Sequence, residues 1–518
     1  MRIASIDIGS NSVHMILVER DGPMSFQTID REKDMIKLGV GTFRDGRLSE
    51  EALAAGLTTL RRFKRLIDRR RADVVLAAAT SAVREAANGP VFLDAVHAHT
   101  GILPRIITGL DEARLIHLAV RRMIDLSNRR ALLLDIGGGS VEVGVGGGAG
   151  AALTRSLKLG VLRLRDRAGD EDPISKDRRK QIDAFIREQA GAALAQAREI
   201  GFDVVIGTSG TILNLGLAAH LHRGSRGWLT PTGRAVRVDD LRGVTDYLLK
   251  MKNAARAHVA GVDTQRADTI HLGGLLLITL LDLARADAIT LCDASVREGL
   301  ILDHLLGLAG AETTASGDVR RESVDELLRR ADADRAHAQH VAALALSLFD
   351  QTQALHKLSA AERRWLEFAA LLHDVGRCIS FDRHEHHAYY LIRHGDLRGF
   401  GERELEIVAL AARYHRKAGP KGRHPEFAAL RPPDRRAVRV LAGILRVADG
   451  LDRTHAGIAR QVRVLPSAAE LCITVRMVGD GDLELWAARR KSAVLERALD
   501  RPVRVEREEE RVESQAKS

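Results

Sequence analysis

The sequence predicts an α/β protein of two related lobes, followed by an all-helical domain and a small α+β segment. Three observations carry this. Arg2–Glu19 (RIASIDIGSNSVHMILVE) reads as an apolar strand, Asp7, a turn of Gly9, Ser10, Asn11 and Ser12, and an apolar return strand. Ala131–Val145 (ALLLDIGGGSVEVGV) repeats the plan with Asp135 and the turn Gly137, Gly138, Gly139 and Ser140. From about residue 320 to 460 the pattern becomes almost wholly helical.

A glycine-rich turn can aim several backbone N–H groups at one anion, phosphate above all. Glycine also accepts backbone angles that other residues resist, which lets the chain turn tightly. Asp135 and Glu142 flank the second turn as hard oxygen ligands. Magnesium takes such ligands together with substrate phosphate. One such turn is more often an ordinary hairpin. Two copies with matching aspartates point to a phosphate site in a cleft between the lobes.

The other elements follow in order. Ser49–Arg71 places Leu53, Leu57, Leu60, Phe63 and Ile67 at helical spacing and ends in a basic run that reads as a solvated face. Val74–Ala79 is a buried strand leading to Thr80 and Ser81, a hydroxyl pair opening a helix. Helix N-termini attract anions. Arg84, one turn on, either clamps a phosphate in a bidentate fork or pairs with Glu85 or another acid. Arg105–Thr108 is a short strand before a helix at Gly109–Val120. Asp111 and Glu112 in its first turn suit the helix dipole, and the sharper reading makes Glu112 a general base. Leu157–Leu164 suggests a strand and turn, and Ile182–Ile200 an amphipathic helix. Asp203–Leu215 runs from a strand into Gly207, Thr208, Ser209, Gly210 and Thr211, a third small-residue turn at a helix start. Residues 269–285 read as an apolar helix, and Ala288–Leu306 as strand, turn and closing helix. Residues 308–325 are short on large apolar side chains and rich in Gly, Ala, Thr and charge, which marks a domain boundary. Leu471–Met477 and Leu483–Leu485 alternate like strands. The expected division is 1–128, 129–307, 320–465 and 466–506, with a charged tail at 507–518.

Composition narrows the class. The chain of 518 residues has room for about three or four domains. Its three cysteines, Cys292, Cys378 and Cys472, are isolated, which argues against a disulfide framework or a cysteine zinc site and fits a reducing cytosol. No apolar run approaches the ~20 residues needed to span a bilayer, and no basic then apolar leader pattern opens the chain, so a cytoplasmic location and no membrane partner are expected. The net charge of +10 attracts polyanions. Aromatic residues make up only 3%, which disfavours nucleic acid, whose single strands need stacking faces, against a polyanion without bases.

Five motifs in order resemble one family: Ile6–Ser12, Thr80–Ala86, Asp135–Ser140 with Glu142, Gly207–Thr211, and Val296–Gly299. Together they are similar to the exopolyphosphatase and guanosine pentaphosphate phosphohydrolase family. The resemblance implies two actin-like (ribonuclease-H-like) lobes, with an HD-type helical domain in longer members. It implies that Glu112 is the catalytic base, where the family commonly has two glutamates and this chain has Asp111 first. It implies that Asp135 and Glu142, with Asp7, hold magnesium, or manganese in its place. Ser10, Asn11, Ser12, Arg84, Gly137, Gly138, Gly139, Ser140, Gly207, Thr208, Ser209, Gly210 and Thr211 would contact phosphate. The implied substrates are inorganic polyphosphate and guanosine pentaphosphate or tetraphosphate, and the implied assembly is a homodimer. Rival readings are a non-catalytic polyphosphate or alarmone sensor and an ATP-dependent kinase of the same fold.

The helical domain resembles an HD metal-phosphohydrolase site, where imidazoles and carboxylates gather divalent ions. The ordered set is His337, His373, Asp374 and Asp449, with His387 in HEHHAYYLI and His415 in RYHRK nearby in sequence. His340, one turn from His337, is the alternative ligand. A second divalent metal would sit there.

Overall fold

The computed structural model describes all residues except 127, 149, 225–229, 310–317, 468–469 and 509–518. They form two compact units, Met1–Asp318 and Val319–Ser518. Residues 310–317 of the 308–325 boundary segment and 509–518 of the 507–518 tail lie outside the described residues.

The first unit contains two sheets. One consists of β1 (Arg2–Ile8), β2 (Val13–Arg20), β3 (Phe26–Asp34), β4 (Val74–Ala79) and β5 (Arg105–Ile106), in the order β3-β2-β1-β4-β5. The other consists of β6 (Ala131–Ile136), β7 (Val141–Gly147), β8 (Gly150–Leu157), β9 (Val204–Thr208), β10 (Ala235–Arg237) and β11 (Ala288–Leu291), in the order β10-β11-β9-β6-β7-β8. Without β10, the second sheet repeats the first strand for strand. In each, the central strand pairs antiparallel with the next strand in the chain and parallel with the strand after the crossover. The central strands are apolar runs because both their faces are covered: Ile3, Ala4, Ile6 and Ile8, like Leu132, Leu134 and Ile136, are fully or almost fully buried.

Caps set where the helices begin. Ser49 accepts a hydrogen bond from Ala52 N (3.2 Å) and starts Glu50–Arg69, which buries Leu60, Phe63 and Ile67 against the first sheet. Ser175 likewise starts Lys176–Ile200. β8 ends at Leu157, and Val161–Ala168 is a helix rather than the expected strand.

Two helices correct the division at 128/129. Gly109–Met123 buries Leu115, Ile116, Ala119 and Val120 in a cluster that joins Ala78 of the first sheet to Ala131, Leu133 and Ile206 of the second. Val296–Ala309 returns to the first sheet, where Ile301 and Leu305 pack on Ile3, Ile16 and Val18. Each sheet therefore completes its core with a helix from the other half of the sequence.

The second unit contains the helices Val319–Arg330, Arg335–Gln351, Ala360–Leu372, His384–His394, Glu402–Arg413 and Pro432–Gly450. A sheet of β12 (Ala459–Pro466), β13 (Leu471–Met477) and β14 (Val503–Arg507) follows, in that order. A separate segment at 466–506 is not what forms. Leu471, Ile473, Val475 and Val505 lie in one hydrophobic cluster with Leu344, Phe368 and Leu441 of the helices. Leu483–Leu485 belongs to the helix Asp482–Lys491, whose first-turn acids Asp482 and Glu484 suit the helix dipole. Among the described residues, no helix is long and apolar enough to cross a membrane.

Candidate active site and a second polar cluster

The two hairpins bring their acids together through register. β1–β2 sets Asp7 opposite His14, and β6–β7 sets Asp135 opposite Glu142. Opposed residues of a strand pair share one face. β9 lies parallel to β6 with Thr208 beside Asp135, and the Thr208 hydroxyl donates to the Asp135 carboxylate. The helix Gly109–Met123 adds the fourth acid. Thr108 and Asp111 form a capping box: Asp111 N donates to Thr108 Oγ1 (3.1 Å), and Thr108 N donates to Asp111 Oδ2 (3.2 Å). Asp111 is thus used as a cap, while Glu112, about 100° further round the helix, is buried. Arg84 donates to the Ile107 carbonyl (2.8 Å) and lies 3.6 Å from Glu112 Oε2. Glu85 pairs with Arg163, not with Arg84.

Electrostatics show how closely these groups meet. Burial, partly offset by Arg297, pushes Asp7 up to about 6. Burial pushes Asp135 up to about 6 as well, against the Thr208 hydrogen bond. Burial and then Asp135 lift Glu142 to about 8. Glu112 is raised well above the carboxylate range by burial, then by Glu142 and Asp7. Asp7 Oδ1, Glu112 Oε2 and Glu142 Oε2 are buried without a hydrogen-bond partner. Mutually repelling carboxylates with free oxygens suit a divalent cation: the donors are hard, and the charge they lack is positive.

The phosphate turns touch each other. None of Gly137, Gly138 and Gly139 has a positive φ, so backbone freedom is not what requires glycine there. Closeness is. A Cβ on Gly138 would lie 3.0 Å from Ser10 Cβ, and one on Gly139 would lie 2.2 Å from the Phe43 ring and 2.4 Å from Ser81 Oγ. Ser10 Oγ and Ser81 Oγ share a hydrogen bond of 2.8 Å, and Ala82 N donates to Ser10 Oγ (3.1 Å). Asn11 Oδ1 is buried and unpartnered. Ser209 adopts φ 82° where β9 meets its helix, a strained conformation for a residue with a side chain.

Basic residues line the same cleft. Arg297 lies 3.1 Å from His14 Nδ1, and Ser12 Oγ lies 2.7 Å from His14 Nε2. Burial, then Arg297, drives His14 down to about 2, so its imidazole is neutral. The Arg266 guanidinium covers Gly210 and keeps a buried, unpartnered Nε.

The second unit gathers another set. His337 Nε2 and His373 Nε2 are 3.3 Å apart, and both lie 3.8 Å from Asp449 Oδ1. His384 Nε2 and His415 Nε2 are also 3.3 Å apart, at 3.1 and 3.7 Å from Asp374 Oδ1. His373 Nε2 lies 3.9 Å from the same Asp374 oxygen, which links the two sets. The Lys491 ammonium pairs with Asp449. Burial opposes the charge on Asp374, yet His373, His384 and His415 hold it well below the usual range. Burial pushes His415 down to about 3.

Residues 16–308 match the Ppx/GppA phosphatase family, and residues 319–478 match domain III of Ppx/GppA phosphatases. The chain belongs to the Ppx/GppA phosphatase family. An exopolyphosphatase from Cytophaga hutchinsonii is 29% identical, with 59% of this chain and 98% of that one aligned at a TM-score of 0.57. The Ppx/GppA family member of Aquifex aeolicus is 26% identical over 60% of this chain and 99% of its own, at a TM-score of 0.51.

This Ppx/GppA phosphatase has the expected fold class, two actin-like lobes followed by a helical domain. Its structure brings Asp7, Glu112, Asp135 and Glu142 together, with Arg84 beside them. In domain III it places His337, His373, Asp374 and Asp449 near one another, with His384, His415 and His455 but not His387 among them. His340 stays outside the set, with its Nε2 buried and unpartnered. Sequence reasoning also missed Gly160. A Cβ there would lie 2.2 Å from the Gly138 carbonyl oxygen, and Leu162 N donates to that oxygen (2.9 Å). A glycine ending the LKLG run was its only signal.

Proposed function

We propose that this Ppx/GppA phosphatase is an exopolyphosphatase, releasing orthophosphate from the end of inorganic polyphosphate by in-line attack of water. Guanosine pentaphosphate, which ends in the same phosphoanhydride, is its second substrate. The observation that carries this reading is the meeting of buried Glu112 with three more carboxylates beside two touching phosphate turns. The solved relative described as an exopolyphosphatase supports the choice of polyphosphate.

Magnesium or manganese, held by Asp7, Asp135 and Glu142, would neutralise charge on the terminal phosphoryl group when bound. The chain's own residues do the rest. Backbone N–H groups of 138–140 and 207–211, with the hydroxyls of Ser10 and Ser12, receive phosphoryl oxygens. Glu112, through its unpartnered oxygen, orients a water and takes its proton. Arg84, 3.6 Å from that carboxylate, offers a guanidinium to the same phosphoryl group. Lys33, Arg266 and Arg297 give the remaining polyanion a basic wall.

The test is orthophosphate release from long-chain polyphosphate with magnesium, wild type against Glu112→Gln. Wild type is expected to release phosphate steadily and the variant to lose about 10²-fold or more. Equal rates would remove Glu112 from the chemistry. No release by either would overturn the polyphosphate reading, leaving guanosine pentaphosphate hydrolysis or binding without turnover.

A further inference from the structure

Val296–Gly299, the last of the five ordered motifs, meets the first one at His14. Ser5 Oγ of β1 donates to the Arg297 carbonyl (2.9 Å), which ties the start of the helix Val296–Ala309 to the first sheet. Arg297 Nε donates to Ser295 Oγ (2.9 Å), and Ser295 Oγ donates to Glu298 Oε2 (2.6 Å). The guanidinium is thereby fixed, and its NH1 lies 3.1 Å from His14 Nδ1. On the other side of the ring, His14 Nε2 lies 2.7 Å from Ser12 Oγ, in the turn just before β2.

These contacts decide where the ring proton sits. A guanidinium has donors and no acceptor, so His14 Nδ1 must offer it a lone pair. The single proton of the neutral ring is then on Nε2 and points at Ser12 Oγ. Burial, with Arg297, Lys33 and Arg266 around the ring, keeps a second proton off it. Ser12 Oγ therefore accepts from His14, and its own hydrogen must point elsewhere. No other group among the described residues takes that hydrogen. Every bond in the series runs one way, from Arg297 to His14 to Ser12. Ser10 is engaged differently, since its Oγ accepts from Ala82 N and shares a hydrogen bond with Ser81 Oγ.

We propose that His14 and Arg297 are positioning residues that hold the Ser12 hydroxyl as a hydrogen-bond donor to a phosphoryl oxygen. An ionised phosphoryl oxygen only accepts, so a hydroxyl turned the other way contributes nothing to holding it. The imidazole blocks that orientation, and Arg297 selects the tautomer that blocks it. His14 acts on the phosphoryl group only through Ser12. The proposal rests on the phosphate reading of the cleft, because the ligand of Ser12 is the phosphoryl group.

The test is calorimetric binding of inorganic phosphate to the full chain with magnesium, in a double-mutant cycle of Ser12→Ala and His14→Leu. Ser12→Ala is expected to weaken binding about ten-fold, as loss of a hydrogen bond to a charged oxygen does. His14→Leu should weaken it about as much in the wild-type background, and by less than about two-fold once Ser12→Ala is present. His14→Gln should recover most of the affinity, since its amide oxygen can accept from Arg297 and its amide N–H can donate to Ser12. Equal losses from His14→Leu in the two backgrounds, no loss from either single change, or a His14→Gln protein as weak as His14→Leu would overturn the proposal. Nitrogen NMR of the wild-type imidazole, assigned by its absence from the His14→Gln spectrum, needs no destabilising change. The ring proton is expected on Nε2, and a proton on Nδ1 would overturn the proposal. Neither readout needs turnover. A protein that shows this coupling yet releases no orthophosphate from polyphosphate keeps the role of His14 and loses the exopolyphosphatase reading.

Discussion

Asp135 and Glu142 are direct cross-strand partners in the β6–β7 hairpin, so two carboxylates stand side by side on one buried face. Like charges directly opposite one another destabilise a strand pair. Ser156 Oγ donates to Glu142 Oε1 (2.9 Å), a contact that an amide oxygen can keep. Glu142→Gln should therefore stabilise the protein in chelator, raising its unfolding midpoint, while lowering magnesium-dependent phosphate release by about 10²-fold or more. A variant that is both destabilised and fully active would contradict the role given to the pair.

Gly160 shapes the second phosphate turn without touching substrate. Val161 N donates to the Gly137 carbonyl (3.2 Å) and Leu162 N to that of Gly138, so the turn rests on this segment. The obstacle to a Cβ is backbone oxygen at 2.2 Å, which cannot swing aside. Gly160→Ala should cut kcat/KM for polyphosphate by more than about ten-fold, because a misplaced phosphate site loses orientation. Gly191 is the control. It sits inside the helix Lys176–Ile200 with open space around it, and Gly191→Ala should add about 0.5–1 kcal/mol of stability in urea unfolding with activity unchanged.

The sequence made the strand–Asp–turn–strand units legible because an apolar run ending at Asp7 or Asp135 and a cluster of small residues are local signals. The hairpin register then follows, and with it the pairing of Asp135 with Glu142. What stayed hidden depends on contacts between distant segments. The glycines of the second turn looked like a demand for unusual backbone angles, whereas Ser10, Phe43 and Ser81 leave no room for a Cβ. The helices Gly109–Met123 and Val296–Ala309 look alike on the page whichever sheet they pack on. In HEHHAYYLI, nothing in the pattern selects His384 over His387; only the fold turns the first residue of that helix toward Asp374.

Glu326 and Arg398 form a bidentate pair at 2.7 and 2.8 Å, with both side chains buried in the second unit. Removing one partner of a buried pair leaves the other charge uncompensated, at a cost of about 3–5 kcal/mol. Glu326→Gln should shift the unfolding of the second unit by that order in urea. Replacing both residues by leucine and methionine should recover most of it, because the lost desolvation cost offsets the lost attraction. A single variant within 0.5 kcal/mol of wild type, roughly the scatter of neutral surface changes, would show that the pair is not closed in solution.

Asp434 links stability to pH. Arg403 Nε and NH2 bond its carboxylate (2.6 Å for the shorter contact) and hold it below the ordinary aspartate range, with Arg431 adding to the effect against burial. A carboxylate whose folded pKa lies below its unfolded value binds fewer protons when folded. Its stabilisation is complete above the unfolded value of ~3.9 and is lost as pH falls through the folded one. Arg403 is half exposed, so the contribution is modest, about 1 kcal/mol or less. Asp434→Asn should therefore lower the thermal midpoint at pH 7, and the gap to wild type should close below about pH 4. Midpoints measured from pH 3 to 7 in both proteins check the sign. A gap that widened toward acid would mean that Asp434 is raised rather than lowered in the folded chain, and that the Arg403 bond does not govern it.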